Sequence, residues 1–328
     1  MTAMRKSSFG IAVLTTLLSV ASTGWAGGRP VQEPPDGYQH DRYAPVADIL
    51  REFRGFTVSF DSKDDDDGIP GGDLLRVPHW VAQELRRWEP PEEARDDPSA
   101  WCLETLRNRP TWFTDDDLFA TGVAPNDASY RSSGFDRGHM AMKLLVERLG
   151  QDAAYNTHTV LNAIPQRPKF NQGIWQHLEY LTGAWVQKYE QIWVIQGPVF
   201  YQKRALAWIG DDGERRVAVP DAAFKLVVRE KTELERNKAG PQDQDALEVL
   251  AFLYPQLGPG YFGPRQDYRH ARFLTSVDEI EELTGLDFPL SDDPVAEKRL
   301  ERHRADTLWE PETVDLKQRE LFLSGCRG

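Results

Sequence analysis

The strongest constraint on the fold is a long helical repeat that runs directly into an apolar strand. Within residues 169–190, five apolar side chains step by four, four, three and four positions, the spacing of one face of an α-helix. They are Phe170, Ile174, Leu178, Leu181 and Trp185. The apolar run at residues 192–196 ends at Gly197 and Pro198, as is typical of a buried strand. The sequence therefore predicts a core-packed helix followed by a buried strand.

Shorter patterns predict the other elements. An apolar repeat that ends at Gly285 indicates a short helix at residues 278–284. Trp80, in the apolar segment at residues 77–87, is expected to lie in the core. The acidic run at residues 64–67 lacks the alternating spacing of a calcium loop and is interpreted as a solvated loop. Strands are expected at residues 56–60, 216–219, 224–229 and 247–253.

The first 26 residues are predicted to be a signal peptide. Arg5 and Lys6 precede an apolar run of 13 residues, which is too short to cross roughly 30 Å of hydrocarbon. We therefore expect an exported protein, periplasmic or extracellular, without a stable membrane anchor. In an oxidising compartment the two cysteines of the chain, Cys102 and Cys326, are expected to form a disulfide.

The charge of the chain is uneven. A net charge of −13 at pH 7 argues against a protein that coats nucleic acid through its overall charge. From Arg131 to Lys169, however, six basic residues stand against three acidic ones. Such a basic segment favours local attraction of a phosphate-bearing substrate, with chance clustering as the alternative.

The same segment contains three motifs. They are DRGH at residues 136–139, NAIPQ at residues 162–166 and NQGIWQHLE at residues 171–179. In this order and spacing they closely resemble the signatures of the non-specific DNA/RNA endonucleases, the endonuclease G-like branch of the ββα-metal or His-Me finger superfamily. Two positions depart from the family pattern, because Leu161 stands where serine is more frequent and Met142 where proline is usual.

The resemblance implies the fold and its extent. The expected fold is α+β, a ββα-metal finger with a central, mainly antiparallel sheet flanked by helices. A single nuclease catalytic domain is expected over residues 56–290, because looser likeness extends over most of the chain. Residues 27–55 are expected to be a flexible leader and residues 291–328 a charged, partly helical extension.

The resemblance also implies an endonuclease that hydrolyses phosphodiester bonds of DNA and RNA. His139 is the expected general base, so activity should rise with pH through about 6.5, the usual histidine pKa. Asn171 is expected to hold Mg²⁺, with Mn²⁺ as a substitute, and Glu179 to contact the ion through water. On a regular helix these two residues are about 12 Å apart, too far to bind one ion directly. Helix capping is the alternative role for Asn171.

Three further residues complete the expected site. Arg109, four residues before an aromatic, is assigned to the phosphate, with Arg107 as the alternative. Arg137 supplies charge beside the general base. Asn162 either acts directly or fixes the loop between strand and helix. The other histidines considered, which are interpreted as structural, are His158, His177 and His270.

Two other functions are compatible with the same residues. One is a catalytically silent module that binds nucleic acid on the same fold. The other is a phosphodiesterase for a small phosphorylated substrate. The preference for DNA or RNA and the oligomeric state are left open by the sequence.

Overall fold

A seven-stranded sheet, antiparallel at every pairing, forms the centre of the molecule. The computed structural model describes residues 37–62, 74–89, 92, 106, 108–238, 245–257 and 268–311. With strands numbered along the chain, the order across the sheet is β1 (Ile49–Phe53), β2 (Phe56–Phe60), β3 (Pro78–Arg86), β6 (Gln191–Val199), β9 (Ala222–Glu230), β10 (Leu247–Pro255) and β11 (Leu274–Thr275). Two antiparallel ribbons accompany it, β4 (Asp136–His139) with β5 (Ala163–Gln166) and β7 (Ala207–Ile209) with β8 (Val217–Val219).

Helices accompany the sheet. They are α1 (Asp116–Ala120), α2 (Lys143–Val146), α3 (Gln151–Asn156), α4 (Gln176–Tyr189), α5 (Glu233–Lys238), α6 (Val277–Thr284) and α7 (Pro294–Arg302). A π-helical turn, Phe170–Trp175, leads directly into α4. The α+β class with a central antiparallel sheet, expected from the resemblance, is confirmed.

Two apolar clusters lie on the two faces of the sheet. Successive residues of β6 alternate between them, since Val194 belongs to one cluster and Trp193 to the other. Trp185 of α4 packs in the first cluster, whereas Ile280 of α6 packs in the second. Because both faces are covered, the central strands are buried along almost their whole length. The β4–β5 ribbon lies on the same face of the sheet as α4.

Most predicted elements are present. The strands expected at residues 56–60, 192–196, 216–219, 224–229 and 247–253 are confirmed as β2, β6, β8, β9 and β10. The short helix is confirmed as α6, which Gly285 ends in the left-handed conformation at φ 77°. Trp80, in β3, is buried as expected.

Two expectations need correction. Residues 27–55 are not a leader throughout, because β1 pairs with β2 and Phe53 is buried in the core. The predicted helix over residues 169–190 is a π-helical turn followed by α4, with a non-helical backbone at Gly173. A β-carbon at Gly173 would lie 3.1 Å from the hydroxyl oxygen of Tyr268, so the glycine leaves room for that ring.

Several expectations lie outside the described residues. These are the signal peptide at residues 1–26, the acidic run at 64–67, Arg107, the pairing of Cys102 with Cys326, and residues 312–328 of the extension. The remaining domain boundaries stay predictions. Within the part of the chain that the structure describes, no helix has the length and apolar character needed to cross a membrane.

Candidate active site

A β-ribbon and the start of a helix form the two sides of the candidate site. β4 carries the DRGH residues and pairs with β5, so that Gly138 lies opposite Ile164. A β-carbon at position 138 would collide with the side chain of Gln166, so glycine leaves room for that side chain against β4. The indole N–H of Trp175 donates to the carbonyl oxygen of His139 at 3.4 Å, which ties the helix side to the ribbon.

Both sides face one cavity of about 820 Å³. The predicted site residues that line it are Arg109, Arg137, His139, Asn171 and Glu179. Asn162 is fully buried and is not among the lining residues. The lining also includes side chains to which the sequence assigned no role, namely Trp112, Asp136, Lys143, Glu147, His158, Gln172 and Gln176.

His139 is held in a neutral state by its surroundings. Its imidazole packs against Trp112, with 4.6 Å between the ring centroids. Burial lowers the pKa of His139 well below its usual value, and the neighbouring His158, Arg109 and Lys143 lower it further. The unprotonated imidazole that a general base requires is therefore present at neutral pH. The expected value of about 6.5, which left a local shift open, is therefore corrected downward.

Asn162 holds the chain that follows His139. Its Oδ1 accepts from the N–H of Ala141 at 2.8 Å, and its Nδ2 donates to the carbonyl oxygens of Ala141 and Thr157, both at 3.0 Å. Its own carbonyl oxygen accepts from the N–H of Met140 at 2.9 Å. Because these bonds are all internal, we replace the direct catalytic role predicted for Asn162 with the alternative, a residue that fixes the loop.

Asn171, in the π-helical turn, bonds to the ribbon. Its Nδ2 donates to Asp136 Oδ2 at 2.9 Å, and Gln172 Nε2 donates to the same oxygen at 2.8 Å. Since a carboxylate only accepts hydrogen bonds, this contact fixes the orientation of the Asn171 amide and directs its oxygen away from Asp136. The N-cap of the turn is Lys169, without a side-chain capping bond. Helix capping by Asn171 is therefore not supported.

The oxygen atoms in this part of the cavity suit a hard divalent cation. Asn171 Oδ1 is a ligand type that Mg²⁺ accepts while it keeps several waters. Glu179 adds a carboxylate whose Oε1 is buried without a hydrogen-bond partner among the described residues. A buried acceptor of this kind is uncommon and consistent with a site for a cation or its water. The residues fit the metal that the resemblance implies.

Glu179 and Lys225 of β9 are both buried, and their charges attract each other. Burial raises the pKa of Glu179 to about 7, opposed by the Lys225 ammonium and by Trp175. Burial likewise lowers the pKa of Lys225, and Glu179 opposes that shift. The Lys225 Nζ lies 4.4 Å from the centre of the Trp175 ring, a cation–π contact. Trp175 thus contacts both Lys225 and the β4–β5 ribbon.

The three cationic side chains of the cavity are held differently. Arg109 is exposed, and no ion pair of its guanidinium is found within the described ranges. Arg137 forms an ion pair with the Asp127 carboxylate and donates to the Asp127 carbonyl oxygen at 3.0 Å. Lys143 donates to the buried Glu147 carboxylate at 2.7 Å. Arg109 is therefore the cation best able to contact an anionic ligand.

Sequence reasoning overlooked three residues of the site for different reasons. Asp136 stands in the DRGH motif, so its position was visible although its contact with Asn171 was not. Lys225 lies in a segment that resembles the family, but nothing in the sequence pairs it with Glu179. His158 has no motif signal, because only the fold brings its ring to 5.0 Å from that of His139.

A β-ribbon that carries the histidine of DRGH, followed by a helix that carries asparagine and glutamate to the same cavity, defines the ββα-metal class of nucleases. A family model described as DNA/RNA non-specific endonuclease matches residues 45–292. The chain belongs to this family.

Curated relatives and a solved structure agree with this assignment. The chain is 29% identical over 214 residues to "Endonuclease G, mitochondrial" of Homo sapiens, covering 64% of this chain and 62% of the relative. It is 27% identical over 211 residues to "Nuclease" of Nostoc sp., covering 64% and 66%. A crystal structure of the EndoG/EndoGI complex matches the fold with a TM-score of 0.52 at 22% identity, over 74% of this chain and 86% of that one. The chain spans about six tenths of the length of the first curated relatives.

The predicted export of the protein is wrong. The similar proteins include mitochondrial nucleases of human, cattle, zebrafish and yeast. The N-terminal sequence could mislead because it carries no acidic residue before Glu33. Scarcity of acidic residues is shared by mitochondrial transit peptides, so it does not identify a secretory signal.

Proposed function

We propose that the chain is a metal-dependent endonuclease that hydrolyses phosphodiester bonds of both DNA and RNA. The observation that carries this proposal is that one cavity brings together a neutral His139, an accessible Arg109 and the amide oxygen of Asn171, whose orientation Asp136 fixes. Hydrolysis of a phosphodiester needs a base for the attacking water and positive charge at the phosphate. These side chains supply the base and part of the charge.

Each residue has one task in the reaction. His139 accepts a proton from the attacking water, since its imidazole is unprotonated at neutral pH. Arg109 binds a non-bridging phosphate oxygen through its planar guanidinium. Asn171 would hold Mg²⁺ through its amide oxygen, with Glu179 oriented toward a water of the ion. When bound, the ion would stabilise negative charge on the phosphate and on the leaving oxygen.

The absence of a preference for sequence follows from what the cavity offers. Its cations, Arg109, Arg137 and Lys143, are suited to phosphate, the part of the substrate that every nucleotide shares. Contacts to phosphate position a nucleic acid without reading its bases. Both DNA and RNA are therefore expected substrates.

The test is digestion of supercoiled plasmid and of single-stranded RNA by the purified full chain. We expect both to be cut in Mg²⁺, neither in excess chelator, and activity to return when Mg²⁺ is restored. Binding without cleavage would support the silent module instead. Turnover of a small diester with both polymers left intact would support the phosphodiesterase.

A further inference from the structure

Two imidazoles lie side by side in the cavity, each with a buried nitrogen that lacks a partner. The rings of His139 and His158 are 5.0 Å apart between centroids and nearly perpendicular, at 82°. Trp112 packs against both rings, at 4.6 and 5.3 Å. The Nε2 atoms of both histidines are buried and have no hydrogen-bond partner among the described residues. Two such atoms on adjacent rings require a common explanation, because buried polar atoms are rarely unpaired.

The protonation of His158 follows from its other nitrogen. Its Nδ1 lies 3.3 Å from the hydroxyl oxygen of Thr157. That hydroxyl donates its own proton to the carbonyl oxygen of Ala154 at 2.7 Å, so toward His158 it can only accept. Nδ1 of His158 therefore carries the proton, and Nε2 carries a lone pair. Burial, reinforced by Arg109, lowers the pKa of His158 to about 4, which keeps this ring neutral.

Because His158 Nε2 is an acceptor, it needs a hydrogen-bond donor. The unpaired Nε2 of His139 would be that donor if it carries the proton. A second histidine pair in the protein gives the relevant scale: His177 Nδ1 and His270 Nε2 are hydrogen-bonded at 2.8 Å, with 5.1 Å between the ring centroids. The rings of the cavity pair have nearly the same separation, 5.0 Å, although they are almost perpendicular. A hydrogen bond between the two Nε2 atoms would satisfy both of them.

We propose that His158 is a positioning residue that accepts a hydrogen bond from the Nε2–H of His139. This bond leaves Nδ1 of His139 unprotonated, and Nδ1 is then the nitrogen that takes the proton from water. His158 thereby fixes both the tautomer and the ring orientation of the general base. The inference rests on the proposed function, in which His139 is that base. An imidazole performs this task without placing negative charge beside the substrate phosphate.

The tautomer of His139 can be measured without any reaction. Two-bond ¹H–¹⁵N spectra of the full chain, with ¹⁵N-labelled histidine and no metal, report which nitrogen carries the proton. The His139 signals are assigned by their loss in His139→Ala. We expect the Nε2-protonated tautomer at neutral pH. The Nδ1-protonated tautomer, or a fast mixture of the two, would overturn the proposal.

Three substitutions of His158 separate positioning from packing. Glutamine can place an acceptor near the position of Nε2, asparagine replaces only the Nδ1 side, and phenylalanine keeps a ring without either nitrogen. We expect His158→Asn and His158→Phe to slow plasmid cleavage about 10- to 100-fold, typical of removing a residue that orients a ligand or base. His158→Gln should retain most of the rate and the Nε2-protonated His139.

The outcomes are distinguishable from failure of the proposed function. If the wild-type chain cuts neither DNA nor RNA, that function fails, while the spectra still test the hydrogen bond. If all three variants slow equally, or none slows, His158 has no positioning role. Melting temperatures identify any variant that does not fold, and the wild-type spectrum decides the matter if His158→Phe is lost.

Discussion

Two groups of polar side chains in this protein differ in how completely they are hydrogen-bonded. In one group, His270 bonds to His177 through Nε2 and to the Tyr254 hydroxyl through Nδ1, at 2.8 and 2.7 Å. In the cavity, His139 Nε2, His158 Nε2 and Glu179 Oε1 are buried without a partner within the described residues. The bonded group stabilises the packing of α4 and β10, whereas the unbonded atoms lie where the proposed chemistry occurs.

Because of this difference, two histidine pairs with similar ring separations have different roles in the protein. The centroid separations of the two histidine pairs are 5.1 and 5.0 Å, so distance alone does not distinguish them. What differs is that the first pair is hydrogen-bonded in this structure, whereas the two Nε2 atoms of the cavity pair are unpaired and would be satisfied by the hydrogen bond proposed above. An unsatisfied buried group costs stability and is retained in a native protein for a reason. The comparison makes four predictions, from the largest expected effect to the smallest.

The largest effect is expected for the general base. His139→Ala should lower plasmid cleavage by at least about 10²-fold, because the water loses its proton acceptor. Melting temperature and binding of DNA should stay near wild type. His303→Ala, at an exposed histidine after α7, is the matched control and should cleave normally. A His139→Ala variant that retains activity would contradict the role of His139 as the general base.

Loss of the candidate metal ligand should have the next largest effect. Asn171→Ala is expected to slow cleavage about 10- to 100-fold and to recover partly at high Mg²⁺, because an amide oxygen is removed from a site that water can complete. The measurement is a Mg²⁺ titration of the cleavage rate beside a melting curve. Unchanged metal dependence with reduced stability would instead make Asn171 a structural residue.

The pH dependence should reflect Glu179 rather than His139. Because burial raises the pKa of Glu179 to about 7, its carboxylate is lost as the pH falls through neutrality, and activity should fall with it. His139, with its pKa lowered well below 6.5, stays neutral over this range. Raising Mg²⁺ should move the decline to lower pH, since a cation favours the ionised carboxylate. Glu179→Gln should be slow at every pH and lack the decline.

The smallest effect on cleavage is expected in the bonded group. Tyr254→Phe removes only the hydroxyl that pairs with His270 and leaves that ring nitrogen buried, so it should lower the free energy of unfolding by about 1–3 kcal/mol. Cleavage at saturating Mg²⁺ should be close to wild type. Urea unfolding followed by tryptophan fluorescence measures the first quantity and the plasmid assay the second. A large loss of cleavage activity with little change in the free energy of unfolding would instead assign Tyr254 a role in the reaction.

The parts of the site that the sequence predicted are those formed by neighbouring elements. His139 lies on β4, which pairs with β5, and Asn171 lies in the helical turn that follows β5, so the family motifs that stand in these elements indicated a shared site. Lys225 reaches Glu179 only through the pairing of β9 with β6, which the sequence does not specify. His158 meets His139 through a tertiary contact with no local signature. Contacts that depend on sheet order were therefore the ones missed.

Two features of the fold were likewise not predicted from the sequence. The apolar repeat at residues 169–190 predicted helix correctly, but a π-helical turn buries a similar set of side chains, so the repeat could not reveal it. Gly173, whose lack of a side chain admits Tyr268, was the one signal for the irregularity. β1 was missed because its edge position buries only Phe53 fully, and its pattern is weak.

Gly138 shows how a position without a functional group can control an active site. The Gln166 side chain occupies the space that any β-carbon at this position would need. Even alanine would therefore force the Gln166 side chain to move, directly beside the residue that carries the imidazole. A comparison that counts only acids, bases and cations would give such a variant a complete catalytic set and overlook this change next to the general base.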